Sequence, residues 1–248
     1  MLRVITEVFG PPLLDTAISS ALLRQVDSGR VPATLRLFVP DRIVAFGRQD
    51  RARPGYLEAV AAVRQLGFDA VERLAGGRAA TFHEGTLAFA WSTPEERPRE
   101  SIAERFDALA SIMVEAFRSL GVDARVGEVA GEYCPGRYSV NAVGRRKLMG
   151  VGQRLLRRAA HIGGVIVVQG ADLVNLPLIP AYRALGYEWD PEATGAIADE
   201  VTADIGSVRT AVLAAFASAG HELVDGTVDA DTAALAESMV GEHDPAIA

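Results

Sequence analysis

One cysteine and one lysine stand in the same segment of this 248-residue sequence. Lys147 is the only lysine among 25 basic residues, and Cys134 is the only cysteine. A cysteine thiolate is a nucleophile, and a lysine ammonium stabilises negative charge that grows on oxygen during acyl or phosphoryl transfer. A lone cysteine is more often a small buried residue and a lone lysine more often a surface cation, so both interpretations stay open from these two residues.

A second segment, from Arg73 to Leu87, combines paired glycines with arginines. Gly76 and Gly77 lie between two predicted strands, and Arg73 and Arg78 bracket them. Glycines let backbone amides approach a ligand closely, and two guanidinium groups beside them suit a phosphate or a carboxylate. A flexible hairpin turn with solvated arginines is the alternative interpretation of the same residues.

The segment around Lys147 has the alternation of a strand. Strict alternation puts Lys147 and Met149 on one face and Leu148 on the other. Gly150 and Gly152 then thin the strand where another group passes close to it.

Together, the two segments resemble the lipoate–protein ligase superfamily, which includes lipoyl-domain octanoyltransferases and, more distantly, biotin–protein ligases. The family shows an Arg-x-x-Gly-Gly-(Gly or Arg)-Ala block that ends in a histidine, and this sequence matches it with Arg73, Gly76, Gly77, Arg78, Ala79 and His83. A later Gly-Arg-Lys-x-x-Gly-x-(Ala or Gly)-Gln-Arg block is matched by Gly144, Arg145, Lys147, Gly150, Gln153 and Arg154. The Gly47-Arg48 step also resembles the end of the family's early strand pair, and the resemblance covers roughly residues 2–185.

The resemblance implies a role for each matched residue. Lys147 is expected to be an essential cation that touches the acyl carbonyl oxygen and any phosphate, and Cys134 is the second catalytic candidate. The binding site for the acyl group or acyl-adenylate is expected to comprise Arg73, Gly76, Gly77, Arg78, Ala79, His83, Gly150 and Gln153. An apolar tunnel for the acyl chain is also implied, and each of its candidate lining residues suits an ordinary core equally well: Val71, Leu74, Phe82, Leu87, Phe89 and Leu148.

Two reaction types remain open under this resemblance. A ligase uses ATP and Mg²⁺ to convert lipoate or octanoate to an acyl-adenylate, from which the acyl group passes to a lysine of a lipoyl domain. A transferase needs no cofactor, because a cysteine takes the acyl chain from an octanoyl carrier protein as a thioester. Lys147 or His83 would supply the positive field that lowers the pKa of the Cys134 thiol.

Departures from the ligase pattern bear on this choice. The family's Asn-Asp pair is replaced by Tyr138-Ser139, which weakens the case for Mg²⁺, because a carboxylate is the natural ligand there. The residues after Tyr187 are too few and too helical for a ligase's accessory domain. We rank the ligase first because both blocks match it, the octanoyltransferase second, and a non-catalytic acyl-adenylate-binding protein last.

Composition limits the partners and the compartment. The net charge of −7 argues against a general nucleic-acid or anionic-membrane binder. The four histidines show no metal-ligand spacing, so no metal site is predicted. With no recognisable signal peptide and no long apolar run, we expect a cytoplasmic protein. The expected acceptors are lipoyl domains of 2-oxoacid dehydrogenases or glycine cleavage H protein; acyl carrier protein and a separate accessory subunit stay open as further partners.

The elements that must position these residues alternate between strands and helices. Strands are predicted near residues 2–9, 34–39, 43–47, 70–74 and 86–91, with a strand pair within 138–168 and a hairpin turn at Pro40-Asp41. Helices are predicted near 13–26, 56–66, 173–185, 205–219 and 231–240. One further helix begins at a Ser101–Glu104 capping box and ends at Gly121.

This order predicts an α+β (mixed α/β) fold with a mostly antiparallel or mixed sheet flanked by helices, as in a biotin/lipoate ligase-like catalytic domain. Residues 1–190 are predicted to form the catalytic domain. Residues 191–248 are predicted to be a helical C-terminal extension of the same unit.

Overall fold

A computed structural model describes residues 1–245 of the chain. Its strands are β1 (Leu2–Ile5), β2 (Thr34–Phe38), β3 (Ile43–Phe46), β4 (Asp69–Glu72), β5 (Ala80–Phe82), β6 (Thr86–Pro94), β7 (Ala124–Val126), β8 (Val140–Ala142), β9 (Arg146–Leu155), β10 (Ala159–Val167) and β11 (Leu223–Asp225). Its α-helices are α1 (Pro12–Asp27), α2 (Arg48–Arg51), α3 (Tyr56–Gln65), α4 (Ile102–Ser119), α5 (Ala171–Leu185), α6 (Ile205–Ser218) and α7 (Ala230–Met239). Short 3₁₀ turns lie at Pro191–Ala193, Ile197–Asp199 and Val240–His243.

The strands form two sheets. The larger has eight strands in the order β11-β1-β2-β6-β10-β9-β8-β7, and the smaller has the order β4-β3-β5. Strand β1 runs parallel to β11 and β2, whereas the pairs from β2 to β7 are antiparallel. The predicted mixed sheet is therefore confirmed.

The predicted hairpin at Pro40-Asp41 is wrong, although both of its strands form. Strand β2 pairs with β1 and β6 in the large sheet, whereas β3 pairs with β4 and β5 in the small sheet. Every residue of β2 and β3 is buried, so each strand is covered on both of its faces. The two strands reach this burial in different sheets. The chain switches sheets at this turn because burial, rather than the length of the connection, decides the pairing.

Helix α4 provides much of the core beneath the large sheet. Leu109, Met113 and Phe117 on one face of the helix are fully buried against it. Ser101 is the N-cap residue, but its side chain makes no capping hydrogen bond, so the predicted capping box does not form. Gly121 follows the helix with a φ of +96°, in the left-handed conformation typical of a helix end.

The small sheet packs on α3 and α5 around a second core. This cluster includes Phe46 of β3, Val63 of α3 and Tyr182 of α5. Helix α1 packs against α7 in a third cluster. The β4–β5 loop, which carries Gly76 and Gly77, lies against β9 of the large sheet.

The C-terminal part of the chain completes the large sheet as well as adding helices. Strand β11 lies beside β1, with Leu223 opposite Leu2. The division at residue 190 stays a prediction, and residues 246–248 of the predicted extension lie outside the described residues. Within residues 1–245, no helix combines the length and apolarity needed to cross a bilayer.

Close packing between β9 and β10 requires glycine at residue 164. A methyl group there would overlap the Gly150 carbonyl and lie 2.9 Å from Cζ of Phe89. We expect Gly164→Ala to lower the free energy of unfolding by about 1–3 kcal/mol, measured by urea denaturation. Gly206→Ala is the matched control, because a methyl group in helix α6 meets only a carboxylate oxygen at 3.5 Å. Equal stability of the two variants would contradict this packing.

Candidate active site

A β-bulge in β9 sets the direction of the Lys147 side chain. Val140 of β8 faces Met149 and Asn141 faces Lys147, so Leu148 has no opposite residue. Leu148 and Met149 both enter the core of the large sheet, and strict alternation along this strand is therefore wrong. Lys147 instead extends over Gly150, where a methyl group would lie 3.2 Å from Cε of the lysine.

The loop that carries Cys134 is organised around the buried carboxylate of Glu132. Oε1 accepts hydrogen bonds from the Ser139 hydroxyl at 2.6 Å and from the Gly136 amide at 3.0 Å, and Oε2 accepts one from the Val129 amide at 3.0 Å. A buried carboxylate is stable only when its oxygens are satisfied in this way. Glu132 consequently fixes the backbone on both sides of Cys134.

The Lys147 ammonium joins this loop to β9. Its Nζ lies 3.2 Å from Oε1 of Glu132 and 2.9 Å from each of the carbonyl oxygens of Tyr133 and Cys134, and the whole side chain is buried. It also stands 4.6 Å from the centre of the Tyr133 ring. The three N–H groups of the ammonium are all engaged, so in this arrangement Lys147 holds the Cys134 loop.

The Cys134 backbone adopts the left-handed conformation, with a φ of +42°. Such a conformation is uncommon for a residue with a side chain and persists where its surroundings fix it. The Cys134 amide donates to the Tyr182 hydroxyl at 2.9 Å, and that hydroxyl in turn donates to the Ala79 carbonyl at 2.9 Å. Tyr182 therefore joins the Cys134 loop to the end of the glycine loop.

The sulfur of Cys134 faces positive charge and a backbone donor. Nη2 of Arg73 lies 3.3 Å from Sγ, and the Arg78 amide donates to Sγ at 3.2 Å. Burial raises the pKa of the thiol, but the charges of Arg73 and Lys147 and these two hydrogen bonds together lower it below its ordinary value. The arrangement favours a thiolate, which is the nucleophilic form of cysteine.

Glycine at residue 77 permits this contact. Its φ is +106°, and a methyl group there would overlap the Arg73 guanidinium and lie 2.9 Å from Sγ of Cys134. The neighbouring Gly76 packs on β9, where its amide donates to the Gln153 carbonyl at 3.4 Å and its carbonyl would lie 2.9 Å from a methyl group on Gly152. The paired glycines thus bring three segments together.

An apolar cavity of about 100 Å³ begins beside Arg73. Four of the residues proposed for the acyl tunnel line it, namely Val71, Leu74, Phe82 and Phe89. The other two, Leu87 and Leu148, lie in the core of the large sheet. The polar side chains along the cavity are few and include Asp15, Asp41 and His161. Burial lowers the pKa of His161 to about 4, so this imidazole is neutral at neutral pH.

His83 and Gln153 serve other contacts. Nδ1 of His83 accepts from the Gly85 amide at 3.0 Å, and burial is the main cause of a lowered pKa for this imidazole. Arg73, rather than a charged His83, therefore joins Lys147 in supplying the positive field at Cys134. The Gln153 side chain turns to α4, where it accepts from Arg105 and donates to the Ile102 carbonyl. The roles proposed for all these residues in catalysis or binding stay predictions.

Sequence reasoning missed Glu132 and Tyr182. The only signal for Glu132 was an acidic residue two positions before the lone cysteine, and Tyr182 lies in a helix far along the chain. Tyr138 and Ser139, which replace the family's Asn-Asp pair, have structural contacts here. The Tyr138 ring stacks on the Phe106 ring with 4.5 Å between their centres, and the Ser139 hydroxyl donates to Glu132. Among residues 1–245, no three His, Cys, Asp or Glu side chains converge to hold a metal ion.

The fold and the two blocks define the class of protein. Residues 11–217 match the model of the lipoyl protein ligase A/B catalytic domain, and the chain belongs to this family. The expected family resemblance is thereby confirmed.

Particular relatives are transferases named for GcvH. The chain is 31% identical over 188 residues to the octanoyl-[GcvH]:protein N-octanoyltransferase of Geobacillus kaustophilus, a match that covers 74% of this chain and 66% of that protein. It is 23% identical over 228 residues to the lipoyl-[GcvH]:protein N-lipoyltransferase of Listeria monocytogenes, covering 87% and 81%. Matches to three similar octanoyltransferases span from about half to 66% of those proteins' length.

Solved structures share the fold at low identity. A lipoate-protein ligase A bound with ATP superposes with a TM-score of 0.79 at 20% identity, covering 96% of this chain and 93% of the other. A bipartite lipoate protein ligase from Thermoplasma acidophilum gives 0.76 at 20% identity, covering 96% and 91%. The fold class is confirmed by these neighbours.

Arg73 is expected to control the ionisation of Cys134. Replacing it (Arg73→Gln) removes a charge and a hydrogen bond from the thiolate, so the pKa of Cys134 should rise by about one unit or more. The pH dependence of iodoacetamide labelling measures this directly, because the chain has one cysteine. The control is Arg78→Gln, which keeps the backbone amide that binds Sγ and should shift the profile little. An unchanged profile in Arg73→Gln would contradict the assignment.

Gly77→Ala is expected to separate Arg73 from Cys134. The labelling rate near neutral pH should fall several-fold, because the added methyl group occupies the space where the guanidinium meets the sulfur. Gly67→Ala is matched for backbone strain, with a φ of +79° and no atom within 4 Å of an added methyl group. Both variants should lose about 1–2 kcal/mol of stability, but only Gly77→Ala should alter the labelling rate. Equal labelling rates in the two variants would show that residue 77 does not set the contact between Arg73 and Cys134.

Proposed function

We propose that this protein transfers an octanoyl or lipoyl group from one protein to another through a thioester on Cys134. The observation that carries the proposal is the position of Sγ, which meets Arg73 and the Arg78 amide beside an apolar cavity that Arg73 also lines. A nucleophile with a lowered pKa next to a site for an apolar chain is what acyl transfer requires.

The first half of the reaction loads Cys134. The thiolate attacks the acyl carbonyl carbon of the donor, a carbon–sulfur bond forms, and the bond to the donor's nitrogen or sulfur breaks. The leaving amine or thiol takes up a proton. Val71, Leu74 and Phe89 hold the acyl chain, while the Arg78 amide and the Arg73 guanidinium are the donors nearest the sulfur and stabilise charge that develops on the carbonyl oxygen.

The second half returns the enzyme to its starting state. The neutral ε-amine of an acceptor lysine attacks the thioester carbon, a carbon–nitrogen bond forms, and the Cys134 thiolate leaves. The amine loses one proton, which balances the proton taken up in the first half when the donor is an acyl-lysine. Lys147 is a positioning residue in this scheme, since its bonds to the carbonyls of Tyr133 and Cys134 keep the sulfur in place.

Several features favour the thioester over the adenylate route that the sequence ranks first. The N–H groups of Lys147 are engaged by the Cys134 loop and leave none for a nucleotide phosphate. Tyr138 and Ser139 provide no carboxylate where ligases hold Mg²⁺. Relatives at 31% and 30% identity carry transferase names. We therefore assign no step to ATP.

The names of these relatives also guide the choice of partners. We take acylated GcvH, the glycine cleavage H protein, as the donor and a lipoyl domain of a 2-oxoacid dehydrogenase as the acceptor, with octanoyl acyl carrier protein as the alternative donor. A thioester on the same chain needs no accessory subunit. Free thiols persist in reducing compartments, and we place the reaction in the cytoplasm.

The test is to capture the thioester. Incubating the protein with octanoyl-GcvH or octanoyl acyl carrier protein should give an adduct of one octanoyl group on Cys134, found by intact mass and removed by hydroxylamine. Cys134→Ser should form no adduct that neutral hydroxylamine removes, and it should lose transfer to a lipoyl domain by about a thousandfold or more, since it removes the thiol nucleophile.

A parallel assay separates the ligase. Lipoate-dependent exchange of pyrophosphate into ATP that persists in Cys134→Ser, with no adduct from either donor, would overturn the proposal in favour of the adenylate route. Binding of a synthetic acyl-adenylate without turnover in either assay would favour the non-catalytic alternative.

A further inference from the structure

A second cavity adjoins the apolar one at Arg73. It has a volume of about 180 Å³ and shares Arg73 and Leu74 with the apolar cavity. Helix α1, the β4–β5 loop, β9 and the C-terminal 3₁₀ turn surround it. Five arginines line it, namely Arg24, Arg48, Arg51, Arg73 and Arg154.

The positive charge in this cavity is only partly balanced. Arg24 pairs with Glu242 at 2.8 Å and Arg51 pairs with Glu72 at 3.3 Å. Within residues 1–245, Arg48 and Arg154 have no carboxylate within ion-pair distance. The protein as a whole carries a net charge of −7, so this concentration of cations is local.

Unused hydrogen-bond donors point to the same conclusion. The Nε atoms of Arg73 and Arg154 are both buried without a hydrogen-bond partner. Burial lowers the pKa of Arg154, and the nearby charges of Arg48 and Arg24 lower it further. Buried donors without partners and close like charges both cost stability, and a bound anion removes both costs.

We propose that this arginine-lined cavity is a binding site for a phosphate group. Guanidinium groups bind phosphate in a planar, two-pronged geometry, and a phosphate has enough oxygens to accept from several arginines at once. The two carboxylates that line the cavity, Glu72 and Glu242, are already paired with Arg51 and Arg24. The phosphate comes either as free phosphate or as part of a phosphate-bearing substrate.

The position of Arg73 couples this site to Cys134. The same guanidinium lines the cavity and lies 3.3 Å from Sγ. A phosphate beside it offsets the positive field at the sulfur and makes the thiolate less stable. By linkage, ionisation of Cys134 and phosphate binding oppose one another to the same extent.

Titration calorimetry with inorganic phosphate, against sodium chloride of equal ionic strength, tests binding. The wild-type chain should show saturable binding of one phosphate, and Arg154→Gln and Arg48→Gln should each weaken it by about tenfold, the loss of one charged hydrogen-bond partner. The matched control is Arg30→Gln, an exposed arginine away from the cavity. Arg48 is itself exposed, so its variant keeps the test valid if Arg154→Gln fails to fold.

Labelling of Cys134 provides an independent measurement. Saturating phosphate should slow iodoacetamide labelling near neutral pH by about two- to tenfold in the wild type, equivalent to at most one unit of thiol pKa. The same phosphate should have no effect in the double variant Arg48→Gln/Arg154→Gln. This readout does not depend on acyl transfer, so failure of the phosphate site and failure of the proposed function are separable.

Two further probes identify the source of the phosphate. The affinities of AMP, 4′-phosphopantetheine and inorganic phosphate for the site are compared by competition. Tightest binding by AMP supports a nucleotide, and tightest binding by 4′-phosphopantetheine supports a carrier-protein arm. Tightest binding by inorganic phosphate supports free phosphate. Absence of saturable binding by all three, or equal affinity in the wild type and the double variant, overturns the proposal.

Discussion

The buried ion pair between Glu132 and Lys147 holds the catalytic candidate in place, and the other contacts of the site depend on it. Two charges taken out of water are costly unless their remaining hydrogen-bonding capacity is used. Glu132 accepts hydrogen bonds from backbone and side-chain groups of its own loop. Lys147 donates hydrogen bonds to the carbonyl oxygens of Tyr133 and Cys134. The pair therefore converts a flexible glycine-rich segment into a fixed support.

The support has a counterpart in the loop between β4 and β5. Tyr182 bonds to both loops at once, and Arg73 reaches from the end of β4 to the sulfur across Gly77. The two loops come from different sheets, so their approach depends on these contacts between distant residues and not on either sequence block alone. In the proposed thioester mechanism, preorganisation of this kind keeps Cys134 and its charge partner in contact without a large entropy cost at the moment of reaction.

Much of the fold was predictable because its signals are local. The apolar stripe of α4 and the glycine at its end follow from the spacing of residues within one helix. Lys147 and the Arg73 block were found by their resemblance to a family. The pairing of β2 and β3, the bulge at Leu148 and the partners of Cys134 were not predictable, because each depends on residues distant in sequence. The presence of Arg73 beside the sulfur, where the sequence had suggested His83, was also not predictable. Both residues lie in one block, and only the path of the backbone decides which one faces Cys134.

The pairing of β1 with β11 has a consequence for the order in which the protein folds. Strand β1 has one neighbour, β2, soon after it in the chain, but its other neighbour is β11, where Leu223 lies opposite Leu2. During synthesis the outer edge of β1 has no strand partner until residues 223–225 have emerged, and an open strand edge is a site where chains associate wrongly. Closure of this edge is a long-range contact and forms late. The last strand thus acts as the element that seals the sheet, and a nascent chain lacking it exposes its first strand to neighbouring molecules.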